Sequence, residues 1–202
     1  MHRLVRAAST ADREAILDMC TQAFVTEPAF AHFFGAQYHP HARTFLSFLL
    51  DIRLAGGLTW VEEANGRIAS VSMWDPPGGL KVSQVEQGRR WQAAADTFPP
   101  DAVQRLDDYE DRVHGAGPTQ SHYYLGVLAS DENARGRGHG TAVLRPGLLA
   151  ADDEGLSSFL ETGTESNLTY YARFGFEVTT KLDLDDGTRI WCLTRPPGAS
   201  LG

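Results

Sequence analysis

The chain has 202 residues, of which 42% are hydrophobic and 22% charged, as is typical of a folded globular protein rather than a disordered or fibrous one. Its 18 Lys and Arg residues against 26 Asp and Glu residues give a formal net charge of −8, which argues against nucleic acid as a partner, because a nucleic-acid binder is expected to carry a basic face. No stretch approaches the ~18 consecutive apolar residues that a membrane span requires, so no membrane partner is expected either.

Strand and helix patterns alternate at the start of the chain. Residues 3–8 alternate apolar and polar side chains, which predicts a short strand. A Ser-Thr pair then offers N-caps for a helix whose apolar residues follow at helical spacing. That helix ends before Glu27-Pro28, because the residue before a proline disfavours the helical conformation. After a cluster of aromatic residues, residues 41–54 predict a second helix.

A hairpin is the strongest signal in the first half of the chain. Residues 58–63 and 67–74 read as strands joined at Asn65-Gly66, a pair that suits the positive φ angles of a tight turn. Residues 81–114 then follow a helical pattern that is broken by two consecutive prolines.

The second half of the chain repeats strand and helix patterns. Residues 122–130 are apolar and aromatic and predict a buried strand. The elements expected after it are a helix at 140–154, a strand at 157–162, a short helix at 167–174 and a hairpin with strands at 176–184 and 188–194. This mixture of hairpins and strand–helix–strand units predicts an α/β (α+β) fold with a mixed sheet.

Cysteine and histidine usage gives no sign of a disulfide framework or a metal site. Cys20 and Cys192 lie far apart and lack metal-ligand spacing. His32, His39 and His41 lie close together in sequence, but no Cys or acidic residue at matching spacing supports a metal. The first residues also lack the apolar run of a signal peptide. We therefore expect a soluble cytoplasmic protein with reduced thiols and no bound metal.

A glycine-rich segment follows the predicted strand and opens the predicted helix. Its sequence, at residues 135–141, is RGRGHGT. Glycines at alternate positions let the backbone approach a ligand closely, and the first turn of a helix carries unpaired N–H groups and a partial positive charge. The segment therefore predicts an anion site, to which Arg135 and Arg137 would add positive charge. On this motif alone, a turn that merely joins two elements is an equal alternative.

Two segments carry a family resemblance. Residues 135–140 resemble the (Gln/Arg)-x-x-Gly-x-(Gly/Ala) signature of the Gcn5-related N-acetyltransferases (GNAT), and residues 167–176, NLTYYARFGF, resemble a later motif of that family. Residues 121–199 strongly resemble the puromycin N-acetyltransferases of this family, whereas the first half resembles them less. The resemblance implies a mixed central sheet of about six to seven strands, with splayed central parallel strands and flanking helices.

The resemblance also implies a domain organisation and a cofactor. Residues 1–202 would form a single domain, with acceptor-pocket elements in residues 1–120 and an acetyl-CoA-binding half in residues 121–199. Acetyl-CoA, the acetyl donor, would place its pyrophosphate on the loop and its pantetheine arm along the preceding strand, as an added strand does. The expected cofactor-binding residues are Leu128, Ala129, Ser130, Arg135, Gly136, Arg137, Gly138, His139, Gly140, Thr141, Asn167, Tyr171 and Phe174.

Two residues are candidates for the chemistry of amine acetylation. Tyr171 matches the family tyrosine that donates a proton to the leaving sulfur, a role that suits a group with a pKa of ~10. The residues alone do not separate it from Tyr170, and a packing role is the alternative. Glu161 ends a predicted buried strand, so its pKa is expected to be raised, as suits a general base. Pairing with an Arg or a backbone donor is the alternative. Asn167 equally suits a helix N-cap.

The acceptor is the least constrained part of the prediction. The resemblance implies a small-molecule amine, with an aminonucleoside antibiotic such as puromycin as one candidate, and Glu27, Trp74, Tyr124 and Glu161 as its expected contacts. A protein N-terminus or a polyamine is an alternative acceptor, and a non-catalytic acetyl-CoA sensor is an alternative function. Either a monomer or a homodimer is compatible with the sequence.

Overall fold

The computed structural model describes residues 3–56, 58–134 and 136–202. The strands are β1 (Arg3–Ala7), β2 (Thr59–Ala64), β3 (Arg67–Asp75), β4 (His122–Ser130), β5 (Ser157–Thr162), β6 (Glu177–Asp183) and β7 (Arg189–Arg195). The helices are α1 (Arg13–Ala23), α2 (Pro28–Phe34), α3 (Tyr38–Gly56), α4 (Gln84–Ala95), α5 (Pro100–Ala116), α6 (His139–Asp153) and α7 (Ser166–Ala172). Short 3₁₀ turns lie at Thr10–Asp12, Gly35–Gln37 and Glu132–Ala134.

These strands form one mixed sheet in the order β1-β2-β3-β4-β5-β7-β6. Every neighbouring pair is antiparallel except β4 and β5, which run parallel. The β2–β3 hairpin turns at Asn65 and Gly66, whose φ angles are 53° and 76°. Positive φ at both central residues is what a two-residue hairpin of this kind requires. The mixed α/β fold and the hairpin are therefore confirmed.

The parallel strands β4 and β5 separate after a short stretch of pairing. Their registered pairs run only from His122 with Ser157 to Tyr124 with Phe159. Beyond that point β4 continues to Ser130 and β5 to Thr162. The predicted splay of the central strands is confirmed, and it leaves a V-shaped gap in the middle of the sheet.

Helices cover both faces of the sheet. On β3, Val71 and Met73 belong to the core that contains residues of α1 and α3. The alternate residues Ser70 and Ser72 face α6, where they donate hydrogen bonds to the carbonyl oxygens of residues 139 (3.0 Å) and 143 (2.6 Å). Because neighbouring side chains on a strand point to opposite faces, α6 lies opposite α1 and α3. None of the helices in the described ranges has the length and hydropathy of a membrane span.

Helix α2 is the main element that the sequence pattern did not predict. Pro28 is its first residue, a position where proline is favoured because the missing N–H needs no intrahelical partner. Phe30, Phe33 and Phe34 are all buried. Aromatic side chains packed around a helix of seven residues leave no polar face, so the segment shows no amphipathic period.

Candidate active site

The gap between β4 and β5 opens into a cavity of about 1480 Å³. One part of its wall comes from β4, β5 and the beginnings of α6 and α7, and the other from the helices α2 to α5. The predicted site residues that line it are Glu27, Tyr124, Leu128, Ala129, Ser130, Gly136, Gly138, His139, Gly140, Thr141, Glu161, Asn167 and Tyr171. Most of the predicted residues are thus brought together in one cleft.

The glycine-rich segment forms a turn that presents the start of α6 to the cavity. Gly136 and Gly138 have φ angles of 73° and 81°, which glycine adopts without strain. The first hydrogen bond of the helix runs from the N–H of residue 142 to the carbonyl of Gly138. The N–H groups of residues 139–141 therefore precede the helical ladder, as at any helix start. Arg135 lies outside the described residues.

Arg137 and His139 make contacts with residues of β1 and β2. Arg137 does not line the cavity, and its carbonyl oxygen accepts a hydrogen bond from Arg3 (3.2 Å). The imidazole of His139 turns toward the sheet, where Nδ1 lies 2.6 Å from Oε2 of Glu62. Glu62 also pairs with Arg3. The side chain of His139 therefore anchors the start of α6 to the sheet. Its predicted contact with a cofactor stays a prediction.

The end of β4 keeps one edge unpaired. Ser70, Val71 and Ser72 of β3 pair with residues 128–130 on one side, whereas the pairing with β5 has already ended on the other side. Backbone N–H and C=O groups along that open edge can pair with an extended ligand in the manner of an added strand. This geometry agrees with the predicted place of the pantetheine arm.

A β-bulge interrupts β4 just before this open edge. Met73 pairs with Val127 and Trp74 with Leu125, so Gly126 is an extra residue without a partner. A Cβ atom at Gly126 would lie 2.6 Å from Nη2 of Arg53. A side chain at position 126 would therefore require the buried guanidinium of Arg53 to move.

Glu161 points into the cavity with its two oxygens in different environments. Oε1 accepts hydrogen bonds from the hydroxyls of Tyr124 (2.9 Å) and Tyr109 (3.3 Å). Oε2 is buried and has no hydrogen-bond partner among the described residues. Burial raises the pKa of Glu161 to about 7, and the two hydroxyls oppose that rise. A pKa near neutrality suits a general base, and the rise was predicted from the apolar neighbours of this residue.

Tyr170 and Tyr171 are adjacent in sequence but lie near different parts of the cleft. Their rings lie 5.1 Å apart. The hydroxyl of Tyr170 is buried without a hydrogen-bond partner among the described residues, and it would lie 3.3 Å from a Cβ atom on Gly140 at the start of α6. Tyr171 is buried, and burial, then Tyr170, Glu27 and Glu161, raise its pKa far above 10. Tyr171 therefore stays protonated on the side of the cleft that holds Glu161.

Asn167 and Glu27 hold the loop that follows β5. The amide of Asn167 donates to the hydroxyl of Thr162 (3.0 Å). Helix α7 begins one residue earlier, with residue 165 at the N-cap, so the N-cap alternative for Asn167 is wrong. Glu27 accepts hydrogen bonds from the N–H of Gly163 (2.9 Å) and the hydroxyl of Thr164 (2.9 Å). Both oxygens of Glu27 are therefore occupied within the protein.

Trp74 and Phe174 belong to the core and do not line the cavity, contrary to prediction. Both are fully buried in the cluster around α6 and α7. The indole N–H of Trp74 donates to the hydroxyl of Ser72 (3.2 Å), and its ring packs so close to α6 that Gly147 is required there. The indole therefore faces α6, away from the helices that wall the cavity. Its sequence position beside the hairpin gave no sign of which face it occupies.

The helices that wall the cavity contribute two charged residues, Arg53 and Glu110, that the sequence did not single out. Arg53 is buried and forms an ion pair with Asp75, with Nε–Oδ1 and Nη2–Oδ2 distances of 2.7 and 2.9 Å. Glu110, on α5, has a pKa raised mainly by desolvation and makes no hydrogen bond or ion pair with the described residues. Partly exposed aromatic side chains complete this wall: Phe24, Phe45, Phe48 and Trp91.

Within the described residues, no group of three or more His, Cys, Asp or Glu side chains is placed to hold a metal ion. His32, from the histidine cluster of the sequence, lies 2.9 Å from Asp186 in the turn between β6 and β7.

Solved structures of acetyltransferases are similar over nearly the whole chain. A histone acetyltransferase HPA2 and related acetyltransferase from Corynebacterium glutamicum matches with a TM-score of 0.70 and 22% identity, covering 98% of both chains. Arylalkylamine N-acetyltransferase 2 from Aedes aegypti has a TM-score of 0.70 at 12% identity, covering 97% of this chain and 99% of its own. The NatC complex bound to Gag peptide and CoA has a TM-score of 0.60 at 13% identity, covering 97% and 99%.

The chain has the GNAT fold. The order of its strands and the single parallel pair at the centre of the sheet agree with this likeness. No model of a known protein family matches the sequence. The glycine-rich segment and the open edge of β4 lie on one side of the gap, and the helices α2 to α5 lie on the other.

Proposed function

We propose that this chain is an acetyl-CoA-dependent N-acetyltransferase that transfers an acetyl group directly to the amine of a small molecule, with residues 1–202 as one domain. The observation that carries the proposal is the single cavity at the splay, which joins a helix start suited to anions to a buried carboxylate with one unpartnered oxygen. A binding site for a polyanionic cofactor and a base for an amine are thus within one cleft.

The residues present fit acetyl-CoA. The N–H groups of residues 139–141 would hold the pyrophosphate, and the unpaired edge of residues 128–130 would hold the pantetheine arm. A Cβ atom at Gly140 would lie 3.3 Å from the hydroxyl of Tyr170 and 3.4 Å from that of Ser130, so a side chain there would crowd the helix start. When bound, acetyl-CoA supplies an activated acetyl thioester. The CoA in the similar NatC structure supports this choice of cofactor.

Glu161 and Tyr171 perform the proton transfers in this proposal. An ammonium ion has no lone pair, so the acceptor must lose a proton before it attacks. Oε2 of Glu161 receives that proton, because Glu161 lines the cavity, because Oε2 has no hydrogen-bond partner among the described residues and because the carboxyl has a pKa of about 7. Tyr171 remains protonated at neutral pH and donates a proton toward the leaving sulfur. The second assignment rests on the family resemblance.

The acceptor wall favours an amine carried on an apolar or aromatic body. Phe24, Phe45, Phe48 and Trp91 offer aromatic surface to the cavity, and aromatic rings stack well on such surfaces. The unpaired carboxylate of Glu110 favours a cationic form of the ligand on entry. An aminonucleoside such as puromycin combines these properties, as does an arylalkylamine, the class named for the similar Aedes aegypti enzyme.

The proposal is tested with acetyl-CoA and a panel of amines, with thiol release as the readout. The panel contains puromycin, arylalkylamines, polyamines and peptides with free N-termini. We expect turnover with aromatic amines, and a loss of ~100-fold or more in the Glu161→Gln variant, in line with the usual contribution of a general base. Tight CoA binding without turnover of any amine would refute catalysis and favour an acetyl-CoA sensor.

A further inference from the structure

Two tyrosine hydroxyls from distant parts of the chain converge on one oxygen of Glu161. Tyr109 comes from α5, in the first half of the chain, and Tyr124 from β4. Both donate to Oε1, at 3.3 and 2.9 Å, and neither contacts Oε2. A carboxylate oxygen that accepts two hydrogen bonds is fixed in orientation. The other oxygen, which is buried and has no hydrogen-bond partner among the described residues, is therefore held in one position on a residue that lines the cavity.

The hydroxyl groups of Tyr109 and Tyr124 stay protonated and can therefore donate hydrogen bonds at any pH near neutrality. Burial raises their pKa values well above 10, and the nearby charge of Glu161 raises them further. Their hydroxyls therefore stay protonated throughout the neutral range. Hydrogen bonds to the charged form of a carboxyl stabilise that form and lower its pKa. The two hydroxyls thus oppose the burial that disfavours the carboxylate.

Other groups around Glu161 come from each element packed against it. Glu110 on α5 raises its pKa, and Arg53 on α3 lowers it. Arg53 is itself paired with Asp75 of β3. Cys192 of β7 lies opposite Glu161 in the sheet, and Tyr171 lies on α7; burial raises the pKa values of both groups, and Glu161 adds to the rise. Among these described neighbours, only Tyr109 and Tyr124 donate hydrogen bonds to Glu161.

We propose that Tyr109 and Tyr124 are positioning residues that clamp Glu161, directing Oε2 at the acceptor amine and keeping the carboxylate available near neutral pH. The inference rests on the proposed function, in which Glu161 is the base. It adds a link between the two halves of the chain, because Tyr109 also packs against Phe33 of α2 with ring centroids 4.8 Å apart. The acceptor-side helices thus help to set the orientation of the base.

The first test compares pH profiles of kcat/KM for Tyr109→Phe, Tyr124→Phe and the double variant. The acid limb of the wild-type profile should have its midpoint near pH 7, where Glu161 titrates. For Tyr124→Phe we expect this midpoint to move up by about one unit, with a loss of about fivefold at pH 7 that recovers by pH 9. A smaller move is expected for Tyr109→Phe, whose hydrogen bond is longer. A midpoint that stays near pH 7 in all three variants would overturn the proposal.

Tyr123 provides a matched control. It neighbours Tyr124 on β4, but its hydroxyl donates to Glu154 (2.8 Å) on the α6 side of the sheet. The Tyr123→Phe variant removes the same oxygen atom from the same strand and should leave the midpoint of the profile unchanged. A midpoint that moves equally in Tyr123→Phe and Tyr124→Phe would show a general effect on the strand and overturn the clamp.

A second measurement does not depend on turnover. In protein labelled with ¹³C at the glutamate side-chain carboxyl, the signal lost in Glu161→Gln identifies Glu161, and its chemical shift is followed with pH. The midpoint should be higher in Tyr124→Phe than in wild type, and highest in the double variant. Identical midpoints would refute the clamp even if an acceptor is acetylated. Failure of every amine to react would refute the proposed function. The titration would still show whether the hydrogen bonds of Tyr109 and Tyr124 lower the pKa of Glu161.

Discussion

Glu161→Gln should make the protein more stable at alkaline pH while it removes the proposed base. Glutamine keeps a carbonyl oxygen that can accept the hydrogen bonds of Tyr109 and Tyr124. It cannot ionise, so it resembles the protonated form of Glu161 at every pH. The comparison of the two proteins therefore isolates the free energy of holding a charged carboxylate in this cavity.

The expected magnitude follows from the pKa of Glu161. The carboxyl has an ordinary pKa of 4.5 and a pKa of about 7 in the folded protein. One pKa unit corresponds to 1.36 kcal/mol, so this rise corresponds to about 3 kcal/mol of stability. Below pH 4.5 both folded and unfolded chains hold the proton, and the stability is fully present. Between pH 4.5 and 7 the unfolded chain releases its proton first, so wild type loses stability, and the loss is complete above pH 7.

The assay is thermal or urea unfolding of both proteins from pH 4.5 to pH 8. The two should be alike near pH 4.5, and Glu161→Gln should be more stable by about 3 kcal/mol at pH 8. In a chain of this length about 1 kcal/mol changes Tm by about 2–4 °C, so a gap of roughly 6–12 °C is expected at pH 8. A gap of the same size at pH 4.5 and pH 8 would refute the reasoning, as would a gap that shrinks as pH rises.

Three further substitutions test other parts of the cleft. Tyr171→Phe should lower kcat with little change in acetyl-CoA affinity, and steady-state kinetics with an unaltered kcat would contradict its role as the acid. Gly140→Val should weaken CoA binding by roughly tenfold or more, since its Cβ would lie 3.3 Å from the hydroxyl of Tyr170 and 3.4 Å from that of Ser130; calorimetry that finds equal affinity would exclude the helix start as the phosphate site. Glu62→Ala should cost about 3 kcal/mol or more in urea unfolding, because it leaves His139 buried without its partner. A loss below about 1 kcal/mol would show that this pair does not anchor α6.

Local patterns in the sequence were sufficient for most strands and helices. Alternation and an Asn-Gly turn define the β2–β3 hairpin, and β5 begins and ends at the predicted residues. Each of these signals is contained within about ten neighbouring residues. Helix α2 was not predicted because it lacks such a local signal. Its residues Phe30, Phe33 and Phe34 are buried on several sides by partners from elsewhere in the chain.

The residues of the cleft were predictable where they belong to a motif. Residues 136–141 and Tyr171 line the cavity, apart from Arg137, because a helix start and its preceding strand are local features. Trp74 and Phe174 were assigned to the site from the family resemblance, with a core role as the alternative for Trp74, and packing against α6 and α7 places both in the core. Sequence spacing says which residues are near one another along the chain, not which face of the sheet they occupy.

The sequence was sufficient to nominate Glu161 as the proposed base, but it did not reveal the side chains that surround its carboxyl group. Its apolar neighbours on β5 predict desolvation and hence a raised pKa; the residue is partly buried, and desolvation raises its pKa to about 7. Burial alone would favour the neutral acid, which cannot accept a proton. The opposing hydrogen bonds come from Tyr109, on α5, and from Tyr124, on β4. No local pattern links α5 to β5, since their approach depends on how the helices pack on the sheet. The pKa of Glu161 therefore depends on the tertiary structure, because desolvation raises it and the two hydrogen bonds lower it. Through Tyr109, helix α5 contacts the residue that we propose deprotonates the acceptor.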